Sequence, residues 1–258
     1  MLAVIVVAAI LPGVLTRADP TTTAILARLA PPSPAHLLGT DHLGRDLLGR
    51  LIYGARISLL VALVSVGLSS LIGVTLGLLA GYYGGWTESV VMRIVDVFLA
   101  FPAILLALAL VAVLGAGVGS VIIALALVFW TQYARIVRAA TLAEREKAYV
   151  EAARAIGAGD GHILFRHILP NIVSPVVILA TLGMGTAVVA ESTLSFLGLG
   201  VQPPAPSWGW TLSFGTRYLR DAPHIATFSG LAIMATVLGF NLLGDGIRDL
   251  LDPKFRPQ

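Results

Sequence analysis

The sequence predicts an all-α, polytopic membrane protein with six transmembrane helices and a cytosolic helix–turn–helix loop. Three observations predict it. The 258-residue chain is 57% hydrophobic and only 12% charged, with a mean hydropathy of +0.90, whereas a soluble domain carries about 25% charged residues to hydrate its surface. The apolar residues gather into charge-free runs long enough for a membrane span, which takes about 20 helical residues. Between the runs lie charged, glycine-bearing or proline-bearing stretches, the punctuation expected of loops.

Taken in order, Met1–Thr16 is uncharged and reads as a first span, without the basic leader of a signal peptide. Ile57 to about Ala80 is the second. Val97–Ala134 is charge-free but too long for one crossing, and Gly115-Ala-Gly-Val-Gly-Ser120 supplies a turn that divides it into spans three and four. Met92, Arg93 and Asp96 stand at the start of the third, where Arg93 and Asp96 are expected to pair and so reduce the cost of both charges. Ile172–Glu191 and Ala222–Gly244 are the fifth and sixth. Ser192–Thr216 is uncharged too, but Pro203, Pro204, Pro206, Trp208 and Trp210 make it an interfacial or cavity-lining loop instead of a span. The reading is a single membrane-embedded domain over residues 1–258, with extracytoplasmic loops at about 17–56 and 192–221.

Charge sets the orientation. Arg93, Arg135, Arg138, Arg145, Lys147, Arg154, Arg166, Arg248, Lys254 and Arg256 fall on the side of the termini, ten against seven opposite: Arg17, Arg28, Arg45, Arg50, Arg56, Arg217 and Arg220. The excess places both termini in the cytosol. Other chemistry is excluded by what the chain lacks. It has no cysteine, so thiolate metal sites and thiol nucleophiles are absent. Neither Lys147 nor Lys254 follows a glycine-rich loop, so any ATP is bound by another chain. His36, His42, His162, His167 and His224 lie in loops or at span ends and do not pair with one another at i,i+4, which argues against a metal site. A net charge of +3, with scattered basic residues, gives no sign of nucleic-acid binding.

Residues 139–157, from Ala139 to Gly157, are rich in helix formers and read as one helix, with Leu142, Tyr149, Ala153 and Ile156 along one side. Gly157 and Gly159 stop it, and Asp160 caps a second short helix toward Pro170. The expected product is a rigid elbow at about 140–170, with Ala152 and Ala153 outward where a partner surface can approach closely. Gly73, Gly77 and Gly81 form a GxxxGxxxG series suited to close helix packing in lipid. Asp41, His42, Arg45 and Asp46 are expected to orient an amphipathic interfacial helix.

Glu151-Ala152-Ala153, followed by Gly157 and then Leu169-Pro170, resembles the EAA loop of binding-protein-dependent ABC importers. The spacing fits throughout, but the family's isoleucine position holds His167. Residues 38–58, beginning Leu38-Gly-Thr-Asp-His-Leu-Gly-Arg-Asp, resemble the C-type permeases of dipeptide and oligopeptide importers, a group that includes nickel permeases. Gly81-Tyr-Tyr-Gly-Gly-Trp86, Glu191-Ser-Thr-Leu-Ser-Phe-Leu-Gly-Leu-Gly200 and Gly244-Asp-Gly-Ile-Arg-Asp-Leu-Leu-Asp-Pro253 match in the same style.

The resemblance implies a non-catalytic permease subunit of the bacterial or archaeal plasma membrane, forming half of a path for small peptides. It implies a B-type permease partner, one or two cytosolic ATPase subunits that hold ATP and Mg, and an extracytoplasmic solute-binding protein. Surrounding lipid completes the environment. Glu151, Ala152, Ala153, Gly157, Leu169 and Pro170 would then seat in the ATPase and couple its closure to the spans. Glu191, an acid at the end of a span, is either part of the path or gate or a boundary residue reaching the outer headgroups. Gln132 and Asn241 are further path candidates, for which interhelical hydrogen bonding is the plainer account, as it is for Thr131. Nickel or another small solute is the alternative cargo. A secondary transporter is a more distant one, because it would need ionisable residues at mid-bilayer.

Overall fold

The computed structural model describes residues 1–16 and 19–251. Arg17, Lys254 and Arg256, used above for orientation, and the Asp252-Pro253 end of the last motif lie outside the described residues. The regular elements among the described residues are helices, joined by irregular stretches of which 28–46 and 197–207 are long ones, with an isolated bridge between Thr40 and Asp46.

Four helices are long and apolar enough to cross a membrane: α3 (Leu47–Tyr83), α6 (Val118–Arg145), α10 (Val173–Phe196) and α12 (Pro223–Leu251). A fifth crossing is made if α4 (Gly85–Leu99) and α5 (Ala103–Leu114) count together, although they are bent by 89°. The expected third span therefore starts differently from its sequence reading. Pro102 has no N–H to donate and disfavours helical geometry at Phe101, so the chain breaks after Leu99. Arg93 and Asp96 belong to α4, both exposed, and no ion pair joins them. The expected first span is α1 (Leu2–Ile10) and α2 (Pro12–Leu15), interrupted at Leu11, each shorter than a crossing.

Ser192–Thr216 holds a helix that its prolines concealed. After them, α11 (Trp208–Arg217) begins, and the buried Trp208 donates its indole N–H to the Leu51 carbonyl at 2.8 Å. Nor do residues 41–46 form an amphipathic helix. Asp41 is buried and accepts from Arg45 Nε at 2.7 Å, with Arg50 Nε at 3.4 Å, and α3 starts only at Leu47. Thr131 donates to Val128 in its own helix, not across to another.

The chain divides into two compact units. One comprises Met1–Ser65, Ala107–Ala124 and Met184–Leu242; the other comprises Val66–Leu106, Leu125–Gly183 and Leu243–Gln258. Within the second, α3 and α6 meet along the glycine series. A Cβ at Gly77 would stand 2.7 Å from the Ala134 carbonyl oxygen, and one at Gly81 would stand 2.6 Å from Thr141 Cβ. Gly73 faces Trp130 and Tyr133 in the same way. α4 joins the same seam through Val95, which clusters with Trp130 and Ala134 of α6 and with Ile72 and Leu76 of α3, and Phe98 lies edge-on to Trp130 at 5.8 Å. Arg138 pairs with Glu88 at the start of α4. Arg145 Nη1 donates to the Gly81 carbonyl at 2.8 Å, satisfying an end group that α3 leaves unpaired.

After Arg145 the expected single helix breaks without glycine or proline. Lys147 is extended (φ −80°, ψ 144°), and α7 (Ala148–Ala155) starts in a new direction. Burial explains the break. Val137 and Val150 lie in one core cluster, yet thirteen residues along an unbroken helix would point them about 140° apart. The nearly buried Glu144 fastens the fold-back, accepting from Tyr149 and holding Lys147 Nζ at 2.8 Å. Of the residues expected along one side, Ile156 is 86% exposed while Ala153 is 6% exposed, so they do not share one environment.

Gly77→Leu should lower the melting temperature of the detergent-solubilised protein, overpacking a seam for about 1–3 kcal/mol. Gly67→Ala, whose Cβ meets nothing within 4 Å, should leave it unchanged. Equal effects would contradict the seam. A second expectation concerns His42, stacked on Phe214 at 4.1 Å. Burial first, then Arg45, Arg50 and Arg28, hold its pKa below 6.5 against the opposing pull of Asp41. A depressed folded value means that the contribution is present above 6.5 and is lost as pH falls below it. Melting curves at pH 7.5 and 5 should show a larger acid loss for the wild type than for His42→Gln.

Candidate functional site

Two arrangements of residues have the chemistry of a site. The first is the elbow formed by α7 and the helical segment that follows it: α8 (Asp160–His162), a π-helical stretch (Ile163–Ile168) and α9 (Leu169–Asn171). Gly157 shapes the turn between its arms. Its φ of +82° is a left-handed conformation that side chains resist. Its N–H bonds the Arg154 carbonyl at 2.9 Å, and Ala158 N–H bonds Ala153 at 3.0 Å. That pair of bonds, with Ala158 packed on the cluster that holds Ala153, is a Schellman cap.

The six predicted elbow residues divide by exposure. Glu151, Ala152, Gly157 and Pro170 are exposed, and Leu169 is half-buried against the core. Ala153 is corrected: at 6% exposure it faces inward with Val150, Leu78 and Tyr82, not outward beside Ala152. On an α-helix adjacent residues point about 100° apart, so one alanine of the pair packs while the other is presented.

In the second arm Ile163 and Ile168 are both buried, and their spacing of five residues matches a π-helical turn. His167, in place of the motif's isoleucine, stays half-buried beside Tyr149 and His162, so the apolar contact falls to Ile168 next to it. Tyr149 ties the arms together: its hydroxyl donates to Glu144 and accepts from Asn171 Nδ2 at 3.2 Å. Burial and the Glu144 carboxylate push its pKa up to about 12.

The second arrangement surrounds Glu191, which is 0% exposed although α10 continues to Phe196. The reading in which it reaches the headgroups is therefore corrected. Its carboxylate accepts from Ser195 Oγ at 2.7 Å, Ser58 Oγ at 2.9 Å, and Ser192 and Ser207 at 3.4 Å. No ion pair reaches it among the described residues. Ser207 precedes α11 but makes no side-chain cap there; its hydroxyl goes to Glu191 instead. One carboxylate thus joins α3, α10 and the start of α11. Gln132 and Asn241 are exposed on α6 and α12, Asn241 close to the bare backbone of Gly185.

Sequence reasoning missed the serines around Glu191. Ser195 could have been found from its i,i+4 spacing, whereas Ser58, 133 positions away, leaves no local signal. It also missed Tyr149 and Tyr82 as links within the elbow.

Comparison with known proteins gives this geometry its family. Residues 73–257 match the family described as binding-protein-dependent transport system inner membrane component. The chain is 51% identical over 225 residues to the glutathione transport system permease protein GsiD of Pectobacterium atrosepticum, covering 87% of this chain and 75% of that one. It is 48% identical over 229 residues to the dipeptide transport system permease protein DppC of Alkalihalophilus pseudofirmus, covering 89% and 75%. Its fold is similar to a chain of the methionine ABC transporter MetNI in an inward-facing conformation, with a TM-score of 0.63 at 23% identity over 79% of this chain and 96% of that one. The chain belongs to the binding-protein-dependent inner membrane components and is a non-catalytic permease subunit of an ABC importer.

Proposed function

We propose that this subunit pairs with a B-type permease to form a path for small peptides, which an extracytoplasmic binding protein delivers. One or two cytosolic ATPase subunits, holding ATP and Mg, power the cycle by docking on the elbow. The observation that carries this reading is the division of the elbow: a packed inner side fixed by the Gly157 cap, and an open outer side of Glu151, Ala152, Gly157 and Pro170. A surface that is rigid, small in side-chain bulk and unpacked suits a partner's groove. Leu169 and Ala153 support it from within.

Peptide cargo is favoured by relatives named for glutathione and dipeptide transport at about half identity over most of the chain. In this reading α1 and α2 complete the count of six spans around the bent α4–α5 pair, and both termini lie in the cytosol. Single cysteines placed in this cysteine-free chain would report each side by labelling with a membrane-impermeant thiol reagent. Glu191 serves as a gate anchor, holding α11 to α3 and α10, while Gln132 and Asn241 face the path.

In proteoliposomes of the whole importer, peptides with loaded binding protein should stimulate ATP hydrolysis, and nickel chelates should not. Uptake driven by a sodium or proton gradient without the ATPase would contradict the account. Gly157→Pro and Ala152→Asp should cut peptide uptake per ATP at least about tenfold while leaving membrane insertion intact; normal transport in both would refute the docking role. Glu191→Ala should lower the melting temperature, because it leaves four hydroxyls without their acceptor. It should also raise ATP hydrolysis in the absence of cargo, by loosening the gate. Glu191→Gln, which keeps one acceptor oxygen, should fall between Glu191→Ala and wild type.

A further inference from the structure

Tyr82, the penultimate residue of α3, touches both arms of the elbow. It is 7% exposed and packs in the cluster that holds Val150, Ala153, Ile163 and Leu164. Its hydroxyl donates to Asp160 Oδ1 at 2.8 Å, at the start of the second arm. The Arg154 guanidinium lies over its ring, 5.3 Å from the centroid, on the first arm. At its backbone the Gly81 and Tyr82 carbonyls accept from Arg145 at 2.8 and 3.3 Å, so the end of α6 grips the same turn.

The other contacts between α3 and the elbow in this cluster are apolar, chiefly through Leu78 and Val74. Apolar contact is non-directional and lets surfaces slide at little cost. A hydrogen bond weakens steeply with angle, and a cation over a ring holds only near its face. The two polar contacts of Tyr82 are therefore the ones that fix where α3 ends relative to the elbow.

We propose that Tyr82 is the positioning residue through which displacement of the ATPase-docking elbow enters α3, its phenol tied to Asp160 and its ring held by Arg154. This rests on the docking reading above. If the elbow shifts as a body, Asp160 and Arg154 carry the last turn of α3 with it. Without the phenol hydroxyl, the second arm can move past α3 while the apolar cluster re-forms behind it.

The test uses the whole importer in proteoliposomes with Tyr82→Phe, Asp160→Ala, Asp160→Asn and the Tyr82→Phe/Asp160→Ala pair. Three quantities are measured: ATPase subunits retained on purification, ATP hydrolysis stimulated by loaded binding protein, and peptide taken up per ATP. Retention should be unchanged in every variant. Peptide per ATP should fall about three- to tenfold in Tyr82→Phe and in Asp160→Ala, the range expected for one lost hydrogen bond. The double variant should be no worse than the poorer single, because the two side chains make one link. Asp160→Asn, which keeps an oxygen for the phenol, should stay within about twofold of wild type. Wild-type coupling in Tyr82→Phe would overturn the proposal, as would additive losses in the double variant or loss of ATPase retention in Tyr82→Phe alone. Should Tyr82→Phe fail to accumulate, the contrast between Asp160→Ala and Asp160→Asn decides the matter by the same measure. Wild-type importer whose ATPase assembles without touching the elbow would instead refute the docking reading.

Discussion

The close approach of α3 and α6 is the constraint on which the second unit rests. Gly73, Gly77 and Gly81 leave no room for a Cβ against the backbone of Trp130, Ala134 and Arg138. In lipid, where apolar residues gain little by leaving the solvent, association depends on such contact between backbones. The seam brings the last turn of α3 beside Thr141 and Arg145, and so fixes where the elbow can fold back.

From that seam outward the charged groups meet partners, although the buried Tyr133 and Thr141 hydroxyls at the seam itself make no hydrogen bond among the described residues. Arg138 meets Glu88, Arg145 meets the carbonyls at the end of α3, and Glu144 meets Tyr149 and Lys147. In the first unit, Asp41 gathers Arg45 and Arg50, and Glu191 gathers four serines. The two acids are treated differently. Asp41 is neutralised by cations, while Glu191 is surrounded by hydroxyl donors alone, a setting in which either protonation state can be hydrogen-bonded. A carboxylate of that kind can join three elements without fixing a charge among them.

How much of this was legible in the sequence follows from the range of each cause. α10 and α12 were found nearly whole, because their runs contain no strong breaker at the centre. Gly157 was legible as a turn, since a Schellman cap requires a left-handed residue and few others accept it. Pro102 was readable but was hidden inside a long apolar run, which made α4 and α5 look like part of one crossing. The break after Arg145 had no local mark at all. Its causes are Arg145 reaching back to Gly81 and Val150 packing beside Leu78, residues more than sixty positions away. The elbow motif was legible as a pattern, but which alanine it presents was not, because facing depends on that unmarked break.

The measurement that bears most directly on the central claim is the accessibility of Ala152 in the assembled importer. The chain has no cysteine, so Ala152→Cys gives a single reporter on the open side of the elbow. A thiol reagent of small size should label it readily in the isolated subunit. It should label it at least about tenfold more slowly once the ATPase subunits are bound, and a cysteine placed in the ATPase groove should cross-link to it. Equal labelling with and without the ATPase, and no cross-link, would contradict the account.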